Sequence, residues 1–133
     1  MFKNKNRIKT YLETIIKETQ LISEMSNEIK TPNDFLSSLN GMIAFRACGM
    51  SLQYVTETFI KIRNLTGVGL FNQYKEIPWK EVFGMRNFIS HGYSDVDETS
   101  IFNTIKTDIP ALSQTTRKIL DDLNNNRLDN LII

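Results

Sequence analysis

The sequence predicts an all-α protein, a four-helix up-down bundle forming one domain over residues 1–133. Three observations predict it. Apolar residues recur at steps of three, four and seven along most of the chain, no segment shows sustained period-two alternation, and no Asn-Gly or Asp-Gly pair marks a tight hairpin. The chain's 133 residues are one domain's worth, enough to bury a real core without disulfides or metal. Its 41% hydrophobic content, with 16 Lys+Arg against 15 Asp+Glu, excludes intrinsic disorder, a collagen-like repeat and a highly basic tail.

Each helix follows from its own spacing. From Arg7 to Ile29 the residues Ile8, Leu12, Ile15, Ile22, Met25 and Ile29 share one face, with Lys9, Glu13, Lys17 and Glu24 opposite, which predicts a long amphipathic helix. Thr31-Pro32-Asn33-Asp34 reads as the start of a second: Thr31 as N-cap, Pro32 as first helical residue, Asp34 as the acidic third position. That helix carries Phe35, Leu36, Leu39, Ile43, Ala47, Met50, Tyr54, Phe59 and Ile62 and runs to Asn64-Leu65-Thr66-Gly67. Gly41 and Gly49 inside it each cost ~1 kcal/mol relative to Ala, so they mark close helix packing. A loop follows to Glu76. The third helix begins at Pro78 and ends near Gly92. The fourth is capped by Asp95 or Asp97, carries Ile101, Phe102, Ile105, Ile109, Leu112, Ile119 and Leu123, and is bent by Pro110. Asn124-Asn125-Asn126 is expected to fray before Leu131-Ile132-Ile133.

The formal charge of +1 supplies no general attraction for nucleic acid, so any such role must come from a local site. The only cysteine, Cys48, cannot form an intrachain bridge and reads as inert, and no Cys/His cluster has metal-ligand spacing. No cofactor is expected. The basic N-terminus leads into a segment carrying Lys9, Glu13, Lys17 and Glu18, where a signal peptide needs an uninterrupted apolar run. No stretch approaches the ~20 apolar residues of a membrane span. The expectation is a soluble, cytoplasmic protein with no membrane partner.

The informative stretch is Ile77-Pro78-Trp79-Lys80-Glu81-Val82-Phe83-Gly84-Met85-Arg86-Asn87-Phe88-Ile89-Ser90-His91-Gly92-Tyr93, which holds the only His and the only Trp. If the helix reaches His91, Asn87 and His91 are one turn apart on one face, and Arg86 and Tyr93 are nearly aligned. Such a set can cleave a phosphodiester without metal. An imidazole titrating near neutrality can take a proton from a ribose 2′-hydroxyl or give one to the leaving oxygen. Arg86 can hold the charge that builds on phosphate oxygens, and Asn87 can orient the imidazole or the phosphate. One imidazole suffices only if it, or a second copy across a dimer, serves both ends of the bond. By spacing alone the plainer reading is commoner: a His near a helix C-terminus acting as a dipole partner, an Arg in a surface ion pair, Tyr93 and Trp79 as packing residues. Met42, Met50 and Met85 read as core fillers.

At these residues the sequence resembles the HepT-like toxins, part of the HEPN superfamily of small helical ribonucleases. The Arg-x4-His-x-Tyr pattern is met by Arg86, His91 and Tyr93, with Asn87 after the Arg, Ile77-Pro78-Trp79 and Gly84-Met85 before it, Gly92 within it and Asp97 after it. Helix count, length and motif placement agree across nearly the whole chain. The resemblance implies a metal-independent endoribonuclease toxin of a type VII-like toxin–antitoxin system, with RNA as substrate. It implies Arg86 and His91 as the catalytic pair and Asn87 as their support. Tyr93 would be the acceptor of AMP from an MntA-like nucleotidyltransferase antitoxin. It also implies a homodimer bringing two motifs into one cleft. One departure stands out: where relatives carry a Gly-Glu-Ala-like turn of sequence, Arg46 is followed by Leu52-Gln53-Tyr54, so Gln53 replaces a carboxylate. That leaves open a weaker, differently regulated or inactive nuclease. The rival readings are a non-catalytic HEPN helper that binds a nucleotidyltransferase, and an interaction domain without chemistry.

Overall fold

The computed structural model describes residues 2–90 and 97–132, and side chains over 4–85 and 97–132. Among the described residues all regular structure is helical: α1 (Phe2–Met25), α2 (Leu39–Thr66), α3 (Trp79–Ser90), α4 (Glu98–Asn103) and α5 (Ile109–Asn124). A π turn, Thr104–Asp108, joins α4 to α5, so the two form the predicted fourth helix. α1 packs against α2 and α5, and α2 packs against α3, which gives the expected bundle.

The core face of α1 is as the spacing predicts: Ile8, Leu12, Ile15 and Ile22 are buried. The helix stops at Met25, short of the expected Ile29. There the Ser26 hydroxyl donates to the Ile22 carbonyl and the Lys106 ammonium donates 2.8 Å to the Ser26 carbonyl, placing a cation where the helix dipole is negative. Ile29 is buried nonetheless, from the turn beyond the helix end.

The predicted start at Thr31 begins only a short 3₁₀ turn, Pro32–Phe35. The Asp34 carboxylate accepts from the backbone N–H groups of Lys30 (2.8 Å) and Thr31 (3.0 Å), which hold it below the usual carboxylate range. The chain then breaks, and Ser38 caps α2 by accepting from the Gly41 N–H at 2.9 Å. Gly41 explains why the break is tight: a Cβ there would lie 2.0 Å from the backbone oxygen of Asp34. The sequence places Gly41 within an unbroken helix as a mark of helix packing; the structure instead puts it in the first turn of α2, against the backbone of the turn that precedes the break. Gly41→Ala is expected to destabilise the fold by ~1–3 kcal/mol, because backbone rather than a flexible side chain must move. A lower urea midpoint at unchanged m checks this.

α2 carries two apolar stripes, which the sequence pattern merges into one. The core takes Cys48, Leu52, Val55, Phe59 and Ile62. The other stripe faces outward: Leu39 is 70% exposed, Ile43 56%, Met50 67% and Tyr54 47%. Met42 and Met50 are therefore not core fillers, whereas Met85 does pack against the core. Cys48 is buried, and burial pushes its thiol up to about 11, which agrees with an inert role. α2 ends at Gly67, whose φ of +72° is the left-handed conformation glycine accepts without strain.

The connection to α3 is packed rather than loose, since Leu70, Phe71, Tyr74 and Ile77 are buried. The Tyr74 hydroxyl donates 2.6 Å to Asp122 on α5; burial and this carboxylate raise the phenol well above its ordinary range, while the bond lowers Asp122. Asp97 caps α4, accepting from the Ser100 N–H at 2.7 Å; Asp95 lies outside the described residues. Pro110 does not bend a continuous helix. It occupies the first turn of α5, and the wider π turn before it removes the clash and the missing hydrogen bond that an interior proline causes. The Asn-rich end does not fray: Asn125 donates to the Asp121 carbonyl, Asn126 adopts φ 62°, and Leu128 and Ile132 are buried beyond it. Lys5 of α1 ties this end down through Asn126 and, at 2.7 Å, Asp129.

Candidate active site

α3, which bears Arg86 and Asn87, is fixed at its first two turns. The Trp79 indole N–H donates 2.9 Å to the Tyr74 carbonyl. Its ring lies 5.3 Å from Phe59 and 4.7 Å from Phe71, and Phe83 meets Phe71 edge-on at 5.2 Å. These ring contacts clamp α3 to α2 and to the connection between them. Trp79 is the anchor its type predicts.

Helical register carries this anchoring toward the C-terminal half of α3. Positions 79, 83, 86 and 90 recur at steps of four, three and four, so position 86 continues the stripe that Trp79 and Phe83 begin. Position 87 lies beside it. The Arg63 guanidinium from the last turn of α2 covers the Phe83 ring, with its carbon 4.3 Å from the ring centroid. The other side of α3 has the opposite charge. There Val82 and Met85 line a cavity of about 220 Å³ against the π turn, with Glu76, Glu81 and Asp108 around it. Burial, and next the charge of Glu81, raise the Asp108 carboxyl above its ordinary range.

Of the residues singled out in the sequence, Arg86 and Asn87 belong to the last two turns of α3, and their side chains lie outside the described residues. His91, Gly92 and Tyr93 lie outside them altogether. Gln53 is half-buried on α2 and donates 3.4 Å to the Glu57 carboxylate one turn on, so a carboxylate stands beside it. Sequence reasoning missed Arg63; its only signal is its place four residues after Phe59, itself in contact with α3. Among the described residues no three or more His, Cys, Asp or Glu could hold a metal ion, and no helix is long and apolar enough to cross a membrane.

Comparison with known proteins agrees with this architecture. A family model described as "Ribonuclease HepT-like" matches residues 8–119, which run from within α1 to within α5. The chain belongs to the HepT-like ribonuclease family. Relatives of this HepT-like chain include the "Probable ribonuclease HepT" of Thermococcus cleftensis, 31% identical over 84% of this chain and 94% of that one. A "Putative RNase" of Caldanaerobacter subterraneus is 30% identical over 83% and 91%. A Methanocaldococcus jannaschii protein named "Gamma-glutamylcyclotransferase and putative RNase" is 28% identical over 90% of this chain, which spans half of its length. No solved structure gives a significant match.

Proposed function

We propose that this HepT-like chain is a metal-independent endoribonuclease toxin of a type VII-like toxin–antitoxin system, acting in the cytoplasm. The observation that carries the reading is the Arg86-Asn87…His91-x-Tyr93 string of residue types, whose Arg86 and Asn87 sit on a helix with its first turns locked to the core by Trp79 and Phe83. A catalytic helix must hold its reacting groups at fixed distance from a substrate, and an anchored helix does so better than a loop.

In the proposed step the His91 imidazole accepts the 2′-hydroxyl proton as that oxygen attacks phosphorus. The bond to the 5′-oxygen breaks, and the leaving oxygen is protonated by the matching imidazole of a second subunit. Arg86 binds the negative charge on the phosphate oxygens, and Asn87 orients the reacting groups. The homodimer this requires is supported by the apolar stripe on α2, where Leu39, Ile43, Met50 and Tyr54 stand exposed in a chain whose other large apolar residues are mostly buried.

The proposed partner is an MntA-like nucleotidyltransferase antitoxin that attaches AMP to the Tyr93 hydroxyl. An anionic phosphodiester two residues from His91 would exclude RNA by size and by charge. Co-expression with a nucleotidyltransferase encoded beside this chain is expected to give a species carrying AMP on Tyr93 by tandem mass spectrometry. The modified protein should lose RNA cleavage. Purified unmodified chain should cut single-stranded RNA in the presence of a chelator.

The replacement at Gln53 favours one rival, a non-catalytic helper subunit. A folded chain that never cuts RNA, yet accelerates nucleotide transfer by its partner, would establish that reading instead.

A further inference from the structure

Among the described residues the Arg63 guanidinium makes no side-chain hydrogen bond or ion pair and meets only an aromatic ring. Arg63 is half-buried, and its guanidinium is stacked on Phe83 at 4.3 Å. Among the described residues no carboxylate lies within ion-pair distance of it; the ion pairs there join Lys5 to Asp129 and Arg127 to Asp121 and Asp122. Stacking occupies the face of a guanidinium and leaves the N–H groups at its edge, in the fork geometry that fits two phosphate oxygens.

Its location gives those donors a target. Phe83 precedes position 86 by three residues, one helical turn or roughly 5 Å along the axis. Arg63 therefore stands over the same stripe of α3 that continues to Arg86 and position 90. Across the helix, Glu76, Glu81 and Asp108 surround the cavity and repel an anionic strand. A polyanion approaching α3 is thus steered to the Arg63 side.

We propose that Arg63, held flat on Phe83, grips a backbone phosphate of single-stranded RNA one turn from Arg86, binding the strand without taking part in the bond-breaking step. The proposal rests on the ribonuclease reading of this chain.

The test compares Arg63→Ala, Arg63→Lys and Phe83→Leu in the full chain. Binding of a single-stranded RNA oligonucleotide is followed over a salt series in a His91→Ala background, and cleavage in the otherwise unsubstituted protein. Arg63→Ala is expected to weaken binding roughly tenfold, as for one lost charge-assisted contact. It should also make the slope of log affinity against log salt shallower by about 0.7. In cleavage it should raise KM by the same factor and leave kcat nearly unchanged. Arg63→Lys should keep the slope and recover part of the affinity. Phe83→Leu should weaken binding with the slope intact. A purely structural role would lower Tm without changing the salt slope. Folded Arg63→Ala protein with wild-type affinity and slope overturns the proposal while leaving the nuclease intact. Unsubstituted chain that neither binds nor cuts RNA removes the ribonuclease reading and this proposal together.

Discussion

His91→Ala is expected to lower the rate of RNA cleavage by ~10²–10⁴-fold with little change in RNA affinity. The proposed reaction moves one proton off the 2′-hydroxyl and one onto the leaving oxygen, and this chain has a single imidazole with which to do either. Removing it from every subunit removes both transfers at once. Arg86→Ala should cost ~10²–10³-fold, because the charge on the phosphate oxygens grows toward the transition state and the guanidinium answers that growth more than it answers the ground state. The two variants should differ in pH dependence: Arg86→Ala keeps the imidazole's titration in its rate profile and His91→Ala loses it. Circular dichroism and an unchanged molecular mass in solution establish that each variant is intact. Wild-type rates after either substitution would take that residue out of the reaction.

Phe71→Ala should be the most damaging change to the fold that leaves the motif itself untouched. Phe71 is buried and meets Phe59, Trp79 and Phe83 within ring-contact distances of 4.7–6.2 Å. Truncating such a ring costs ~3–5 kcal/mol through lost transfer energy and the space left behind. That is a large share of the ~5–15 kcal/mol that keeps a domain folded. The expected readout is a fall in Tm on the order of 10 °C or more. Because the rings around Phe71 hold α3 to α2, activity should fall at temperatures below the global unfolding transition, as α3 loosens first. Coincident loss of activity and helicity on heating would show that α3 melts only with the rest of the bundle.

Much of this architecture is legible in the residues. The core face of α1, the cap at Asp97 and the anchoring role of Trp79 all follow from local spacing and residue chemistry. The misreadings share a cause, which is competition between elements that no local window contains. Thr31-Pro32-Asn33-Asp34 is a sound helix start, but Phe35 is drawn into the core from a 3₁₀ turn and Ser38 starts the helix that lasts. α2 is apolar on two sides, and only its neighbours decide that Leu52 and Val55 go inside while Ile43 and Met50 stay out. The ordered C-terminal turn depends on Lys5, more than a hundred residues away. In the site, the motif is visible as a string of residue types, whereas Arg63 acquires meaning only once α2 lies against Phe83.

The π turn has a consequence for how this chain tolerates change in length. Ile101, Ile105, Ile109 and Leu112 all reach the core, at steps of four, four and three. Two steps of four along an unbroken α-helix turn the side chain by about 80°, toward the edge of a buried face. The surplus residue housed between Thr104 and Asp108 absorbs that drift. Deleting any one residue there would close the helix into a single regular spiral, swing the inward edge of α5 away from α1, and drive the Pro110 ring into the carbonyl beneath it. A point substitution at the exposed Thr107 should be tolerated far better than a one-codon deletion at the same place.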